Sequence, residues 1–265
     1  MSHPFLQGPR PRAFAHRGWH SGDLDGMENS LSAFRRAVDE GFRHIETDVH
    51  ATADGVVVMH HDEHLDRTTD GRGAIRRLPW SAVATARIGG REPVCRLDEA
   101  LEQLPEALFN IDVKAEDAVG PVLEVLRRHQ AWDRVCLASF DEKRLRTLRR
   151  EAGPQLLTSM GPRSVAALWA SSRPGGALLK RWADGSCAQV PPAHGRIQVV
   201  DARFVTAAHR LGREVHVWTV DDVAEMHRLL DLGVDGLVTD RPAALRDVLA
   251  ERAAAAEVAG RADPV

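Results

Sequence analysis

Short apolar runs alternate along the chain with segments whose apolar residues recur every three or four positions. Residues 12–15, 107–113, 134–139, 155–159, 214–220 and 235–239 have the aliphatic and β-branched content of strands. Between the first two runs, Leu31, Phe34 and Val38 fall at i, i+3 and i+7 of a helix, capped by Asn29 or Ser30 and stopped at Gly41. Helical spacing returns over 97–104, 119–129, 141–151, 204–211 and 223–232. Gly161-Pro162 opens a further helix, and Pro242 suits the first turn of a last one. A strand-like run around Ile45 is followed by a turn at Ala53-Asp54-Gly55 and a second run over 56–59. Residues 171–187 show no clean period, and Gln189-Val190-Pro191 reads as a short strand beyond them.

About eight strand–helix alternations with short connections imply parallel pairing through right-handed crossovers. Eight such units in about 250 residues predict a single-domain α/β TIM (β/α)8 barrel, placed here over residues 12–250. An open doubly wound sheet is the alternative, but its Gly-rich phosphate turn, G-x-G-x-x-G, is absent. The flanks are a Pro-containing lead over 1–11, expected to be loosely held, and an Ala-rich tail over 251–265, expected to fray.

Composition narrows the partners. With 43% hydrophobic and 28% charged residues, the chain of 265 can build an ordinary globular core. A net charge of −3 lacks the basic excess of a nucleic-acid binder. Cys95, Cys136 and Cys187 are odd in number and far apart, which argues against a disulfide framework or a zinc site and for a reducing, cytoplasmic setting. No apolar run has the length of a signal segment or a membrane span, so no stable membrane insertion is expected.

The candidate chemistry gathers at the C-terminal ends of the strands, where barrel active sites lie. Those ends collect His16-Arg17, Glu46 and Asp48, His61, Asp112 and Lys114, and Trp218. Glu46 and Asp48, two apart on a strand, share a face at roughly 6.5–7 Å, a spacing that one hard cation can bridge. Three carboxylates suit Ca²⁺ or Mg²⁺ better than zinc, even with His44, His50 and His64 nearby. Arg17 and Lys114 suit a phosphate, and two histidines suit acid and base roles. Plainer readings stand beside these. The carboxylates can pair with Arg17 or Arg43, Asp112 with Lys114, and Trp218 can be core packing. His60 and His61 point to opposite faces, so at most one reaches the site. The basic helix with Lys143, Arg144, Arg146, Arg149 and Arg150 reads as a solvated outer face, with an anionic membrane surface as a minor alternative.

Several longer motifs now fall in order: His16-Arg17-Gly18, Met27-Glu28-Asn29-Ser30, Glu46-Thr47-Asp48, Asp54-Gly55, an unbroken stretch from His61 to Thr69 (HDEHLDRTT), Asp112-Val113-Lys114, Trp218-Thr219-Val220 and the closing GVDGLVTDRP from Gly233 to Pro242. Over almost its whole length the chain resembles the glycerophosphodiester phosphodiesterases. The resemblance implies a TIM-type barrel and picks His61 over His60 as catalytic, alongside His16. It further implies one divalent cation, Ca²⁺ or Mg²⁺, held by Glu46, Asp48 and Asp112, with Glu28 and Asp62 in support. Arg17 and Lys114 would bind the substrate phosphate and Trp218 would pack on the substrate.

The implied reaction converts a small-molecule glycerophosphodiester to glycerol 3-phosphate and an alcohol; we assign His16 as base and His61 as acid, an order that sequence does not orient. A lysophospholipase D-type activity on the same residues, or a catalytically silent phosphate-ligand binding protein, are the alternatives. Three departures from the family pattern stand out. Asp112 replaces a glutamate and Met27 a proline, and the stretch after the HD motif is short, which predicts an open mouth without a large capping subdomain.

Overall fold

Eight strands have the parallel register that the alternation predicts. They are β1 (Arg12–His16), β2 (His44–Ala51), β3 (Leu108–Val113), β4 (Val135–Ala138), β5 (Leu157–Thr158), β6 (Cys187–Val190), β7 (Glu214–Val217) and β8 (Gly236–Thr239). In this computed structural model, which describes residues 3–262, their hydrogen-bonded order is β5-β4-β3-β2-β1-β8-β7-β6. The two ends meet through a parallel bridge between Ser159 and Cys187 and backbone bonds from Ser186 to Thr158 and from Met160 to Cys187, both 2.8 Å. The result is a single-domain TIM barrel.

The outer ring comprises α1 (Leu31–Asp39), α2 (Leu97–Gln103), α3 (Val119–Arg128), α4 (Glu142–Ala152), α5 (Pro162–Ser171), α6 (Ala202–Arg210), α7 (Val223–Asp231) and α8 (Pro242–Ala262). Ser30 rather than Asn29 caps α1, accepting from the Ala33 amide, and Asp141, Asp201 and Asp222 cap α4, α6 and α7 in the same way.

Strand alternation sorts side chains into two layers. Ile45, Val49, Phe109, Ile111, Val135 and Leu137 face outward into the main core beneath the helices. At the floor of the barrel Phe14, Leu108, Cys136, Leu157, Cys187 and Val238 form an apolar cluster, which shares the interior with Arg12, Glu214 and His216. Phe5 belongs to this cluster and is fully buried, with its ring 5.1 Å from that of His44 and its carbonyl 3.2 Å from His44 Nε2. The lead expected to be loose therefore plugs the floor, because an apolar ring there covers surface that water would otherwise wet.

Other expectations also change. The last helix runs through Glu251 to Ala262 instead of fraying at the Ala-rich tail, since alanine is the strongest helix former; residues 263–265 lie outside the described part. The unreadable stretch holds the end of α5 and a 3₁₀ segment, Ala177–Trp182. The run at Val57–Met59 is no barrel strand but pairs antiparallel with β2. It starts an excursion that reaches α2, with a one-turn helix (Trp80–Val83) and a two-stranded ribbon around its own small core of Met27, Leu65, Ile75, Val83, Ile88 and Val94. This compact loop stands where a large capping subdomain is absent. Helix α4 is not simply solvated: Arg144 donates to the Val113 carbonyl and Ser139 Oγ, and Arg149 to Thr158 Oγ1 and the Ser159 carbonyl. Both arginines lie mostly buried along the barrel wall, their stems covering apolar surface. Among the described residues, no helix is long and apolar enough to cross a membrane.

Candidate active site

The first strand ends in a tight turn that aims two side chains. Arg17 has φ 52° and Gly18 φ +84°, both in the left-handed region. A Cβ on Gly18 would lie 2.9 Å from the Cβ and carbonyl carbon of Ala33, so α1 packs directly on the turn. Asn29 repeats the left-handed conformation at φ 58° and donates its amide to the Arg17 carbonyl at 2.9 Å. Its side chain then donates to Asp48 Oδ2 (3.1 Å) and accepts from Thr47 Oγ1 (2.8 Å). Short polar side chains tolerate this backbone, and such strain gathers at functional sites.

Glu46, Asp48 and Asp112 line one cavity with Arg17 and Lys114. Register pairs Asp48 with Asp112 across β2 and β3, and Lys114 Nζ sits between them at 2.7 and 2.8 Å. Arg17 Nε lies 3.2 Å from Asp48 Oδ2, and Arg17 also donates to Glu28 at 2.9 Å. Burial raises the Asp48 carboxyl, but Lys114 and Arg17 outweigh it and hold the pKa below the ordinary carboxylate value. Asp112, also buried, is raised because burial exceeds the pull of Lys114. Glu46 is pushed up to about 8 by burial and by the neighbouring Asp48 charge. Arg17 and Lys114 thus pair with Asp48 and Asp112, while Glu46 faces His16 Nε2 at 3.7 Å. Asp112 Oδ1 is buried with no hydrogen-bond partner. The oxygen donors suit a hard cation, yet among the described residues no three His, Cys, Asp or Glu side chains converge as metal ligands, with Lys114 between two of them.

The histidines separate as the strand pleat requires. His60 is buried, with Nδ1 on the Asp62 carbonyl and Nε2 on Thr68 Oγ1, both at 2.9 Å. His61 lines the cavity and donates from Nδ1 to Asp62 Oδ1 at 2.7 Å, which leaves Nε2 to exchange protons. Asp62 is held in turn by Arg67, which also grips Glu28 through two bonds of 2.7 and 2.9 Å. Arg17, Glu28, Arg67 and Asp62 therefore form one continuous chain of ion pairs, which ends in the hydrogen bond from His61. His16 donates from Nδ1 to Asp240 Oδ1 at 2.6 Å and places Nε2 3.7 Å from Glu46. Burial alone would lower the His16 pKa, but Glu46 and Asp240 outweigh it and raise it.

Trp218, just past β7, also lines the cavity, edge-on to Phe140 with ring centroids 5.6 Å apart. His16, Arg17, Glu46, Asp48, His61, Asp112, Lys114 and Trp218 thus open on a single space of about 630 Å³. Glu28 and Asp62 stand behind it. Asn29, Arg67, Asp240 and Phe140 belong to the same assembly without having been singled out from sequence as site residues. The first three lie inside the quoted motifs, so their polar identity was the available signal. Phe140 follows β4 with no motif around it.

The family model for the glycerophosphoryl diester phosphodiesterase family matches residues 16–244. The probable glycerophosphodiester phosphodiesterase 2 of Mycobacterium tuberculosis is 41% identical over 251 residues, 94% of each chain. A solved glycerophosphodiester phosphodiesterase from Agrobacterium tumefaciens superposes with a TM-score of 0.72 at 28% identity, covering 88% of this chain and 98% of that one. A phosphodiesterase of Oleispira antarctica, solved with its product sn-glycerol-3-phosphate, shares the fold at TM-score 0.75 and 22% identity, over 91% and 97% of the two chains. Motif order, fold and relatives agree: the chain belongs to the glycerophosphoryl diester phosphodiesterase family, whose members are phosphoric diester hydrolases.

Proposed function

We propose that the protein hydrolyses glycerophosphodiesters to sn-glycerol 3-phosphate and an alcohol, with His16 and His61 transferring the protons. The observation that carries this reading is a pair of histidines opening on one cavity with Arg17 and Lys114, each with Nδ1 held by a carboxylate, Asp240 or Asp62. A carboxylate on Nδ1 fixes the tautomer and leaves Nε2 for proton exchange. His16 takes the proton of the attacking oxygen, and His61 protonates the leaving alkoxide. When the 2-hydroxyl of glycerol is the nucleophile, a cyclic phosphate forms and the two histidines exchange roles for its hydrolysis. An internal nucleophile of this kind can act at effective molarities of about 10⁵ M or more. Arg17 and Lys114 offset charge that grows on the phosphoryl oxygens, and Trp218 packs on the substrate.

One divalent cation, Ca²⁺ or Mg²⁺, would be held by Glu46, Asp48 and Asp112, and would supply Lewis-acid polarisation of a phosphoryl oxygen. The buried and unpartnered Asp112 Oδ1 supports it, and Lys114 would turn from between Asp48 and Asp112 toward the phosphate. The three cysteines are free and buried, which supports the cytoplasmic assignment.

The test is turnover of glycerophosphocholine, followed by release of glycerol 3-phosphate, before and after dialysis against a chelator. Activity should disappear on chelation and return with Ca²⁺ or Mg²⁺, and Asp112→Glu should keep most of it. Turnover indifferent to chelation removes the cation from the reading; absence of turnover with every glycerophosphodiester tried removes the activity.

A further inference from the structure

Two amides meet at the base of the cavity, and the chemistry above leaves both unused. Asn110 of β3 and Gln189 of β6 line the same space as the charged groups. Their strands stand three apart in the ring, so the side chains reach each other across the lumen. Gln189 Nε2 donates to Asn110 Oδ1 at 2.8 Å. Register sets Asn110 beside Glu46 and Glu46 beside His16, one layer deeper than the Asp48–Asp112 pair. Behind this bridge, the fully buried His216 has Nδ1 3.4 Å from Gln189 Nε2 and Nε2 3.0 Å from Glu214.

The bridge is half satisfied. Among the described residues, Asn110 Nδ2 and Gln189 Oε1 make no hydrogen bond. Polar groups left unpaired away from bulk water are costly, and apolar side chains would seal a barrel without that cost. The proton on His216 sets the direction of the bridge. A neutral Nδ1 accepts from Gln189 Nε2; an imidazolium donates to Gln189 Oε1, and both amides turn over. Either way one N–H donor and one carbonyl acceptor are left to the cavity, side by side. A hydroxyl both donates and accepts, so it completes either arrangement. An ammonium or an alkyl group completes neither.

Shape selects which hydroxyl. With its phosphate at Arg17 and Lys114, a phosphodiester sends one organic half toward the bridge and the other toward the mouth. The bridge is a closed end that admits a short half of fixed length, whereas the mouth admits variable bulk. A three-carbon glycerol suits the closed end, and its primary hydroxyl is the group farthest from the phosphate.

We infer that Asn110 and Gln189 determine specificity for the glycerol half of the substrate, binding its primary hydroxyl at the base of the cavity. The inference rests on the activity proposed above and adds two residues to its binding machinery. A hydroxyl on the leaving alcohol has the same chemistry and is the competing source.

Two pairs of substrates distinguish the sources. The first compares glycerophosphocholine with its propane-1,2-diol analogue, which keeps the secondary hydroxyl and lacks the primary one. The second compares the 2-hydroxyethyl and ethyl diesters of glycerol 3-phosphate, which differ only in the leaving alcohol. Loss of the primary hydroxyl should lower kcat/KM roughly 10²-fold or more, because a site built around a hydroxyl rejects the analogue without it. The second pair should differ by less than about twofold, below the scale of one hydrogen bond. Gln189→Met, an unbranched side chain of similar size, should reduce the first ratio at least roughly tenfold, and Asn110→Leu should do the same. Readout as a ratio cancels any loss of folded enzyme.

Wild-type enzyme that cleaves the first pair alike overturns the inference and leaves the proposed activity standing. So does a preference that survives both variants. Discrimination confined to the second pair assigns the bridge to the leaving alcohol and overturns the inference as well. If no diester is cleaved, that activity fails, and calorimetric binding of glycerol 3-phosphate against propane-1,2-diol 1-phosphate decides the subsite separately. Tighter binding of glycerol 3-phosphate that Gln189→Met abolishes supports the subsite. Equal affinity, or a difference that the variant leaves intact, overturns it.

Discussion

Asp240 accepts a hydrogen bond from His16 Nδ1 at 2.6 Å across the seam where β8 pairs with β1. The same oxygen lies 3.2 Å from His20 Nε2, so one carboxylate orients two imidazoles. His16 and His20 outweigh the burial that would raise Asp240 and keep it ionised well below the ordinary carboxylate range. Asp240→Asn keeps the shape but removes the charge and permits the wrong His16 tautomer. It should lower kcat roughly 10²–10⁴-fold, the scale of a lost acid–base orienter, with KM little changed. Unchanged kcat would show that His16 needs no orienting partner.

The adjacent histidines should separate by experiment as they do by geometry. His61→Ala removes the only member of the pair that faces the cavity, so turnover should vanish while circular dichroism is unchanged. His60→Ala leaves Thr68 Oγ1 and the Asp62 carbonyl without their buried partner. It should cost about 1–3 kcal/mol of stability and leave kcat of the folded protein within a factor of ten. The reverse pattern would mean that the strand presents its other face.

Gly18 combines two constraints that Gly55 has only in part. Gly55 has φ +80° and open space around it, whereas Gly18 adds the 2.9 Å approach of Ala33. Gly55→Ala should therefore cost about 1–2 kcal/mol from backbone conformation alone. Gly18→Ala should add a further roughly 1–3 kcal/mol of overpacking and lower activity by moving Arg17. Urea unfolding of both variants measures the difference, and equal costs would refute the packing argument.

Inside the barrel, Arg12 binds Glu214 through two bonds of 2.8 and 2.9 Å, and Glu214 lies 3.0 Å from Nε2 of the fully buried His216. Burial opposes the imidazolium, but Cys187 and Glu214 outweigh it and raise the His216 pKa to about 9. Glu214 is brought to about 2, with Arg12 and His216 overcoming burial. A histidine raised on folding contributes stability that is complete below its unfolded value of about 6.5 and is lost as pH rises towards 9. The Glu214 contribution is present above about 4.5 and fades as pH falls towards 2. Cys187, brought to about 6 by its hydrogen bond to Cys136 and by His216, loses a proton on folding over the same range and opposes the histidine's trend. The net decline in unfolding free energy from pH 6.5 to 9 should therefore stay below the roughly 1.4 kcal/mol per pH unit of an uncompensated histidine. His216→Gln should flatten that slope, and a slope unaffected by the substitution would mean that His216 folds neutral.

The alternation of apolar runs and helical spacings was enough to determine an eight-fold barrel, because strand and helix periods are local properties of the chain. The same locality put Glu46 and Asp48 on one face, separated His60 from His61, and joined His61 to Asp62 within two residues. Cross-strand relations were beyond its reach, since closure of the ring sets them. The Asp48–Asp112 register that traps Lys114, and the approach of Asp240 to His16 from residues 224 apart, exist only once β8 meets β1 and β3 meets β2. Phe5 looked like part of a loose lead because its partners, Phe14, His44 and Leu108, come together only at the barrel floor. Arg144 and Arg149 looked solvated because their charge is visible in sequence, while the carbonyls that receive them are not. The amide bridge at the base of the cavity joins Asn110 to Gln189, residues 79 apart in the chain. Tertiary structure alone brings them together.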